Sequence, residues 1–323
     1  FGSAARVVRA IDSGRIEVSR RATAALHRPE SEMREMLDDL GIRPVLRGES
    51  GYPQSLSWLP DGPDVLFVRG SLPEKPAVAV VGTRRCTSYG RSLARAYGVA
   101  IADAGWITVS GLARGIDAEA HRGTLDAGGI GVAVLGSGSN VIYPAEHRDL
   151  HDGLVAGGGA VITEYPPGTP PEPWRFPPRN RIIAGLSACV VVVEAAIKGG
   201  ALITATYALE QAKAVLAVPG DIDRDASAGC NLLIRDGAIP VLGPDDLVEA
   251  LSLIFGPPEV TSERETDSES AVLAMLGPTG TSLEVLVEAT GLPAAEVLSE
   301  IARLEASGRA ARVGGQFSRR HPE

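Results

Sequence analysis

Four arginines and no acid fall between positions 82 and 95: Arg84, Arg85, Arg91 and Arg95. The first two lie inside Gly82-Thr83-Arg84-Arg85-Cys86-Thr87-Ser88-Tyr89-Gly90, which follows an apolar run and opens a helical one. Glycine lets the backbone come close to a ligand, the free N–H groups of a helix start point at it, and arginine adds paired donors. The chemistry this composes is the holding of an anion, a phosphate above all, with Gly82, Thr83, Arg84 and Arg85 as candidates. Ser110-Gly111-Leu112-Ala113-Arg114-Gly115-Ile116-Asp117 repeats the theme ahead of the next helix, with Ser110 and Gly111 as candidates. Gly136-Ser137-Gly138 does so a third time.

A second constellation is Phe176-Pro177-Pro178-Arg179-Asn180-Arg181. An aromatic ring beside two guanidinium groups and an amide offers a stacking face together with phosphate donors, which is what single-stranded nucleic acid requires. Trp174 reads instead as a ring that anchors a Pro-rich loop to the core. Lys198-Gly199-Gly200 lies between an apolar run and a helical one and adds Lys198 and Gly200 to the candidates. Asp117 and His121 share one helix face, and a hydrogen-bond network at the helix start accounts for them and for Glu119. No catalytic or metal-ligating set is assigned. The dinucleotide fingerprint Gly-x-Gly-x-x-Gly is missing from the first turn and the next strand ends at Ser110 rather than an acid, so NAD binding is disfavoured and no cofactor is expected.

These loops need a frame. Near-continuous apolar runs at 77–81, 106–110, 130–135, 160–164, 189–193 and 214–218 have the composition of strands buried on both faces of a parallel sheet. Helical stretches at 89–104, 116–127 and 201–213 separate them, and the alternation predicts a doubly wound α/β domain. Before it, Glu30 to Leu40 has helical spacing, and Pro44 to Pro76 reads as a connector with one short strand, Val65 to Val68. The opening residues from Phe1 look like the tail of a helical module whose start is missing. After it, 256–267 is an acidic linker, and three helical patterns with a closing hairpin at 312–317 follow in winged-helix order. The second of these helices opens with the capping pattern Thr281-Ser282-Leu283-Glu284 and closes at Gly291.

The net charge of −9 argues against a nucleic-acid binder unless charge is segregated. It is: residues 77–251 hold 14 basic and 18 acidic side chains, whereas 252–308 hold 2 and 10. The three cysteines, Cys86, Cys189 and Cys230, have no metal-ligand spacing and suit a reduced, cytoplasmic setting. No apolar run is long enough to span a membrane.

Taken together, VGTRRCTSYG, SGLARGIDAEAH, VLGSGSNVIYP, TEYPPG, FPPRNRIIAGLS, VVVEAAIKGGALITA, AVPGDI and GCNLLIRDGA resemble the DNA-processing protein A (DprA/Smf) family, in the family's order over most of 78–240. The resemblance implies an extended Rossmann-like α/β parallel-sheet core over 44–255. It implies a truncated N-terminal helical piece like a sterile alpha motif (SAM-like) over 1–43 and a C-terminal winged-helix domain over 268–323. It implies single-stranded DNA and RecA recombinase as partners, RecA being loaded onto the strand as in natural transformation, with no catalytic reaction. It implies a homodimer, whose surface we place around 229–251. Binding roles carry over onto Gly82 and Arg84 and onto Phe176, Arg179, Asn180 and Arg181. They extend more loosely to Ser110, Gly111 and the Lys198–Gly200 turn.

The third helix of the winged-helix region, 294–306, offers Glu296, Glu300 and Glu305 against Arg303 alone, a face that repels DNA. That module is expected to contact protein, or to use only Arg309, Arg312, Arg319 and Arg320. A transcription regulator of duplex DNA would have to use that acidic helix. The enzymatic alternative is a nucleotide-cleaving hydrolase resembling the lysine-decarboxylase-like phosphoribohydrolases. Their Pro-Gly-Gly-x-Gly-Thr loop and catalytic Glu have no match here, since Lys198 to Thr204 has no preceding Pro and the next acid is Glu210.

Overall fold

Val and Ala runs with no polar member have no solvent face to offer, and they become the interior of a nine-stranded sheet in the computed structural model. The structure describes residues 4–18, 23, 27, 29–256, 271–277, 280–294, 297–298, 300–301, 304, 310–313 and 316–319. The chain forms two compact units, Phe1–Pro258 and Glu259–Glu323.

In the first unit the strands are β1 (Ile42–Leu46), β2 (Val65–Gly70), β3 (Ala77–Val81), β4 (Ile107–Ser110), β5 (Gly131–Val134), β6 (Ala160–Thr163), β7 (Cys189–Val192), β8 (Ala214–Ala217) and β9 (Ile239–Pro240). Their order across the sheet is β1-β2-β6-β5-β4-β3-β7-β8-β9. All neighbours from β6 to β9 pair parallel, while β2 runs antiparallel to β6 and β1 antiparallel to β2. The expected parallel core is thus present, extended at one edge by an antiparallel pair. Val78, Ala79, Val80, Val190, Val191 and Val192 are fully buried, as strands covered on both faces must be. The residues expected to form a connector after Pro44 instead begin inside β1, where Pro44 sits opposite Phe67. A proline is tolerated there because β1 is an edge strand, with no further strand to which it must donate.

The helices are α1 (Ala4–Asp12), α2 (Glu30–Asp39), α3 (Gln54–Ser57), α4 (Ser88–Asp103), α5 (Ile116–Asp126), α6 (Arg148–Ala156), α7 (Phe176–Leu186), α8 (Gly200–Glu210), α9 (Asp225–Arg235) and α10 (Pro244–Phe255). Helices α4 and α5 lie backbone against backbone. A Cβ at Gly98 would stand 2.1 Å from the Ala120 carbonyl oxygen, and one at Gly123 1.9 Å from that of Arg95. Among the described residues no helix is long and apolar enough to cross a membrane.

The second unit holds α11 (Ala271–Met275), α12 (Leu283–Thr290) and the hairpin of β10 (Ala310–Val313) and β11 (Gln316–Arg319). Its core gathers Val272, Leu273, Leu276, Leu286, Val297, Ile301, Leu304 and Phe317. Helix α12 ends at Gly291 in the left-handed conformation, as the sequence pattern predicts. The side chain of Arg312 is exposed and lies over the Phe317 ring at 5.3 Å. The acidic linker beyond Gly256, together with Glu296, Arg303, Glu305, Arg309, Arg320 and the side chain of Arg319, lies outside the described residues.

Candidate nucleic-acid interface

The direction of winding reverses at β3: β4, β5 and β6 step away on one side, β7 and β8 on the other. In open α/β sheets the loops leaving the strands part at this point and leave a crevice beyond their C-terminal ends. A cavity of about 480 Å³ opens there. Its walls are the loop after β3 (Gly82 to Arg85), the turn after β7 (Ala195 to Gly200), the start of α8 and the first turns of α7.

The loop after β3 is pinned from three directions. Thr83 donates its N–H to the Glu194 carbonyl at 2.7 Å, and its own carbonyl accepts the Ile116 N–H at 3.3 Å. The buried Glu194 carboxylate accepts from the Thr87 N–H at 2.9 Å and from the Thr87 hydroxyl at 2.5 Å. That hydroxyl in turn accepts the Gly90 N–H at 3.1 Å and caps α4. Glycine is required at 82, where a Cβ would stand 2.4 Å from the Ile116 side chain. These ties leave Arg84 and Arg85 exposed, and among the described residues neither makes an ion pair. The Arg84 guanidinium lies 5.1 Å from the centroid of the Phe176 ring, and the Tyr143 ring packs against Phe176 with centroids 5.6 Å apart. Gly136, after β5, leaves the room Phe176 occupies, since a Cβ there would come within 2.9 Å of the ring.

Arg179 forms part of the floor. Its side chain is buried, donating to the Gly111 carbonyl at 2.9 Å and to the Val134 carbonyl, so it ties the ends of β4 and β5 together. Burial pushes its guanidinium down to about 10, against the opposing pull of Asp117, which leaves it cationic at neutral pH. Burial likewise pushes the Asp117 carboxyl up, countered by Arg179 and by the N–H groups of Ala113 and Gly111. Among the described residues Arg179 Nε has no hydrogen-bond partner. Asn180 donates to the Gly200 carbonyl at 3.3 Å and joins α7 to the start of α8.

The sequence candidates therefore divide. Gly82, Thr83, Arg84, Arg85, Phe176, Arg179, Asn180 and Gly200 line the cavity, and Gly111 lines the small recess beside it. Ser110 does not, because its hydroxyl donates inward to the Val80 carbonyl at 2.6 Å. Arg181 faces away, donating twice to Glu164 at 2.8 Å and once to the Asp61 carbonyl at 2.9 Å. Lys198 is exposed outside the lining. Within the acid-free stretch, Arg91 and Arg95 turn to α5: Arg95 pairs with Asp126 at 2.6 Å, and both approach Glu119 within 4.0 Å. That acid-free stretch is therefore not one basic rim.

Two other expectations need correcting. Trp174 does not anchor a loop; it is 61% exposed. His121 belongs to no helix-start network: it is fully buried, both ring nitrogens lack a partner among the described residues, and burial pushes it down to about 3. Tyr143 was not singled out, because its ring reaches Phe176 only through the turn after β5. Among the described residues the one carboxylate lining the cavity is that of Asp117.

Family models match over most of the chain: DNA recombination-mediator protein A over residues 43–252 and the DprA winged helix domain over 256–316. Protein Smf of Escherichia coli strain K12 is 40% identical over 281 residues, 83% of this chain and 75% of that protein. DNA processing protein A from Streptococcus pneumoniae aligns with a TM-score of 0.60 at 34% identity, covering 76% of this chain and 91% of that one. DNA processing protein A from Helicobacter pylori, described for its single-stranded DNA binding mode, gives 0.58 at 25% identity over 65% and 95% of the two chains.

Proposed function

Starting from a chain that belongs to the DNA recombination-mediator protein A family, we propose that it binds single-stranded DNA at the crevice where β3 and β7 part. The observation that carries this reading is the pairing of two arginines that make no ion pair among the described residues, Arg84 and Arg85, with the packed rings of Tyr143 and Phe176 in one cavity. Phosphates meet the guanidinium groups and the backbone N–H groups of the glycine loops, while bases stack on the rings. The likeness to the Helicobacter pylori protein, described for its single-stranded DNA binding mode, supports single-stranded DNA as the ligand. Such a site reads backbone and ring faces, so it is insensitive to base sequence.

Loading of RecA recombinase onto the bound strand, in natural transformation, is the further role we assign; the recombination-mediator description of the matched family supports it. A homodimer formed near residues 229–251 accompanies it. There the short edge strand β9 leaves Ile239 and Leu242 exposed, apolar groups that a second copy would cover. Binding rather than catalysis is the activity proposed, and the single cavity carboxylate, already facing Arg179 and two backbone N–H groups, is poorly placed to act on a substrate.

The deciding experiment is binding of a labelled oligothymidine to the parent and to Arg84→Ala. Single strands should be preferred to duplex, affinity should fall as salt rises, and the variant should bind more weakly with a shallower salt slope. An Arg84→Ala protein that binds like the parent would overturn the site.

A further inference from the structure

Resting on the single-strand reading above, we infer that Trp174, with Arg175 and Tyr165, is a second base-stacking platform, onto which the strand passes as it leaves the cavity. An indole that is 61% exposed gives up the apolar burial that would have stabilised the fold. It is nevertheless held. Trp174 lies in a single 3₁₀ turn, Pro173–Arg175, and the Arg175 guanidinium sits 4.6 Å from the indole centroid and 5.3 Å from the Tyr165 ring. Arg175 is fixed in turn by donating to the Pro170 carbonyl.

The charge suits a nucleic-acid backbone. Among the described residues Arg175 makes no ion pair, and Glu164, beside Tyr165 in the chain, is occupied by both terminal nitrogens of Arg181. The position suits a continuous path. Tyr165 follows β6, which lies three strands from β3 along the same rim, roughly 14 Å at the usual spacing between strands. Phe176 lies along that path, its ring against Gly136 after β5, and carries Arg84 above the ring at 5.1 Å. The rim thus presents two arginine–aromatic stacks in series, one inside the cavity and one outside. A single strand offers the same alternation of flat base and anionic phosphate, and rings with arginines are the groups that bind it without sequence preference.

The test compares parent, Trp174→Ala and Trp174→Phe for binding to a two-nucleotide and a twelve-nucleotide oligothymidine, with tryptophan fluorescence recorded in parent and Trp174→Phe. We expect Trp174→Ala to lose about 5- to 100-fold in affinity for the longer oligonucleotide, the range of one base stack. It should bind the shorter one, which is too short to reach from the cavity to the platform, like the parent. Trp174→Phe should keep most of the longer oligonucleotide's affinity, and the fluorescence quenched by DNA in the parent should be absent from it. Unchanged binding of both lengths by Trp174→Ala, an equal loss for both, or parent fluorescence that DNA does not quench would overturn the platform. Where Arg84→Ala still weakens the parent's binding, those outcomes leave the cavity assignment standing; a parent that binds neither oligonucleotide removes both.

Discussion

Arg84 and Arg95 come from the same acid-free run of sequence, and the fold gives them opposite surroundings. Arg84 stands at the mouth of a cavity beside an aromatic ring and makes no ion pair among the described residues, whereas Arg95 lies along α4 against Glu119 and Asp126 of α5. Arg179 and Arg181 repeat the contrast two residues apart, one forming the cavity floor and the other bonded to Glu164 and Asp61 on the far side. A run of like charge along the chain therefore does not define a field. What an arginine can offer a ligand depends on whether a carboxylate from elsewhere in the chain has already met it.

The contrast between engaged and unengaged arginines breaks first in stability. Arg179→Met leaves Asp117 buried without its cation and the Gly111 and Val134 carbonyls without their shared donor, so unfolding by urea should reveal a loss of about 3–5 kcal/mol. A loss below ~1 kcal/mol would mean that the buried guanidinium ties nothing together.

Acid sharpens the contrast next, because the arginines keep their charge while His121 gains one. Its folded value of about 3 lies below the ordinary 6.5, so the folded state binds fewer protons than the unfolded chain. Its contribution is complete above pH 6.5 and is lost as pH falls towards the folded value, by about 1.4 kcal/mol per unit, roughly 3 kcal/mol at pH 4. His121→Leu should flatten stability between pH 4 and 6.5; a slope identical to the parent's would assign that acid sensitivity to other groups.

Affinity follows. Arg84→Ala should weaken oligothymidine binding ten- to a hundredfold, on the order of 1–3 kcal/mol, and leave the urea midpoint in place. The smallest effect is expected of Arg95→Ala, whose exposed ion pairs contribute under ~1 kcal/mol to stability and nothing to DNA affinity. Should Arg95→Ala lower affinity as much as Arg84→Ala, the division drawn between the two arginines would be wrong.

The pattern of hits and misses in the sequence has the same origin. Strands such as 77–81 and 189–193 were legible because burial on both faces leaves a run with no polar member. The loops were legible because a glycine that directly follows such a run marks a close backbone approach. Strand β1 was not, because Pro44 and the glycines around it read as a connector, and only the geometry of a sheet edge makes room for a proline. The bonding of Arg181 is not legible in the sequence because Asp61, one of its partners, lies 120 residues away. Trp174 was misread because composition gives a ring's size but not which side of a loop it occupies.

The close approach of α4 and α5 at Gly98 and Gly123 has a consequence for anyone wishing to reshape the crevice. The two loops that open those helices cannot be widened or narrowed one at a time, because any side chain added at either glycine drives both helices apart and moves both loops with them. They behave as one jaw. The opposing jaw is the start of α7 with Phe176 and Asn180, and retuning of strand width belongs there, at positions other than Arg179, whose bond to the Gly111 carbonyl links the two jaws.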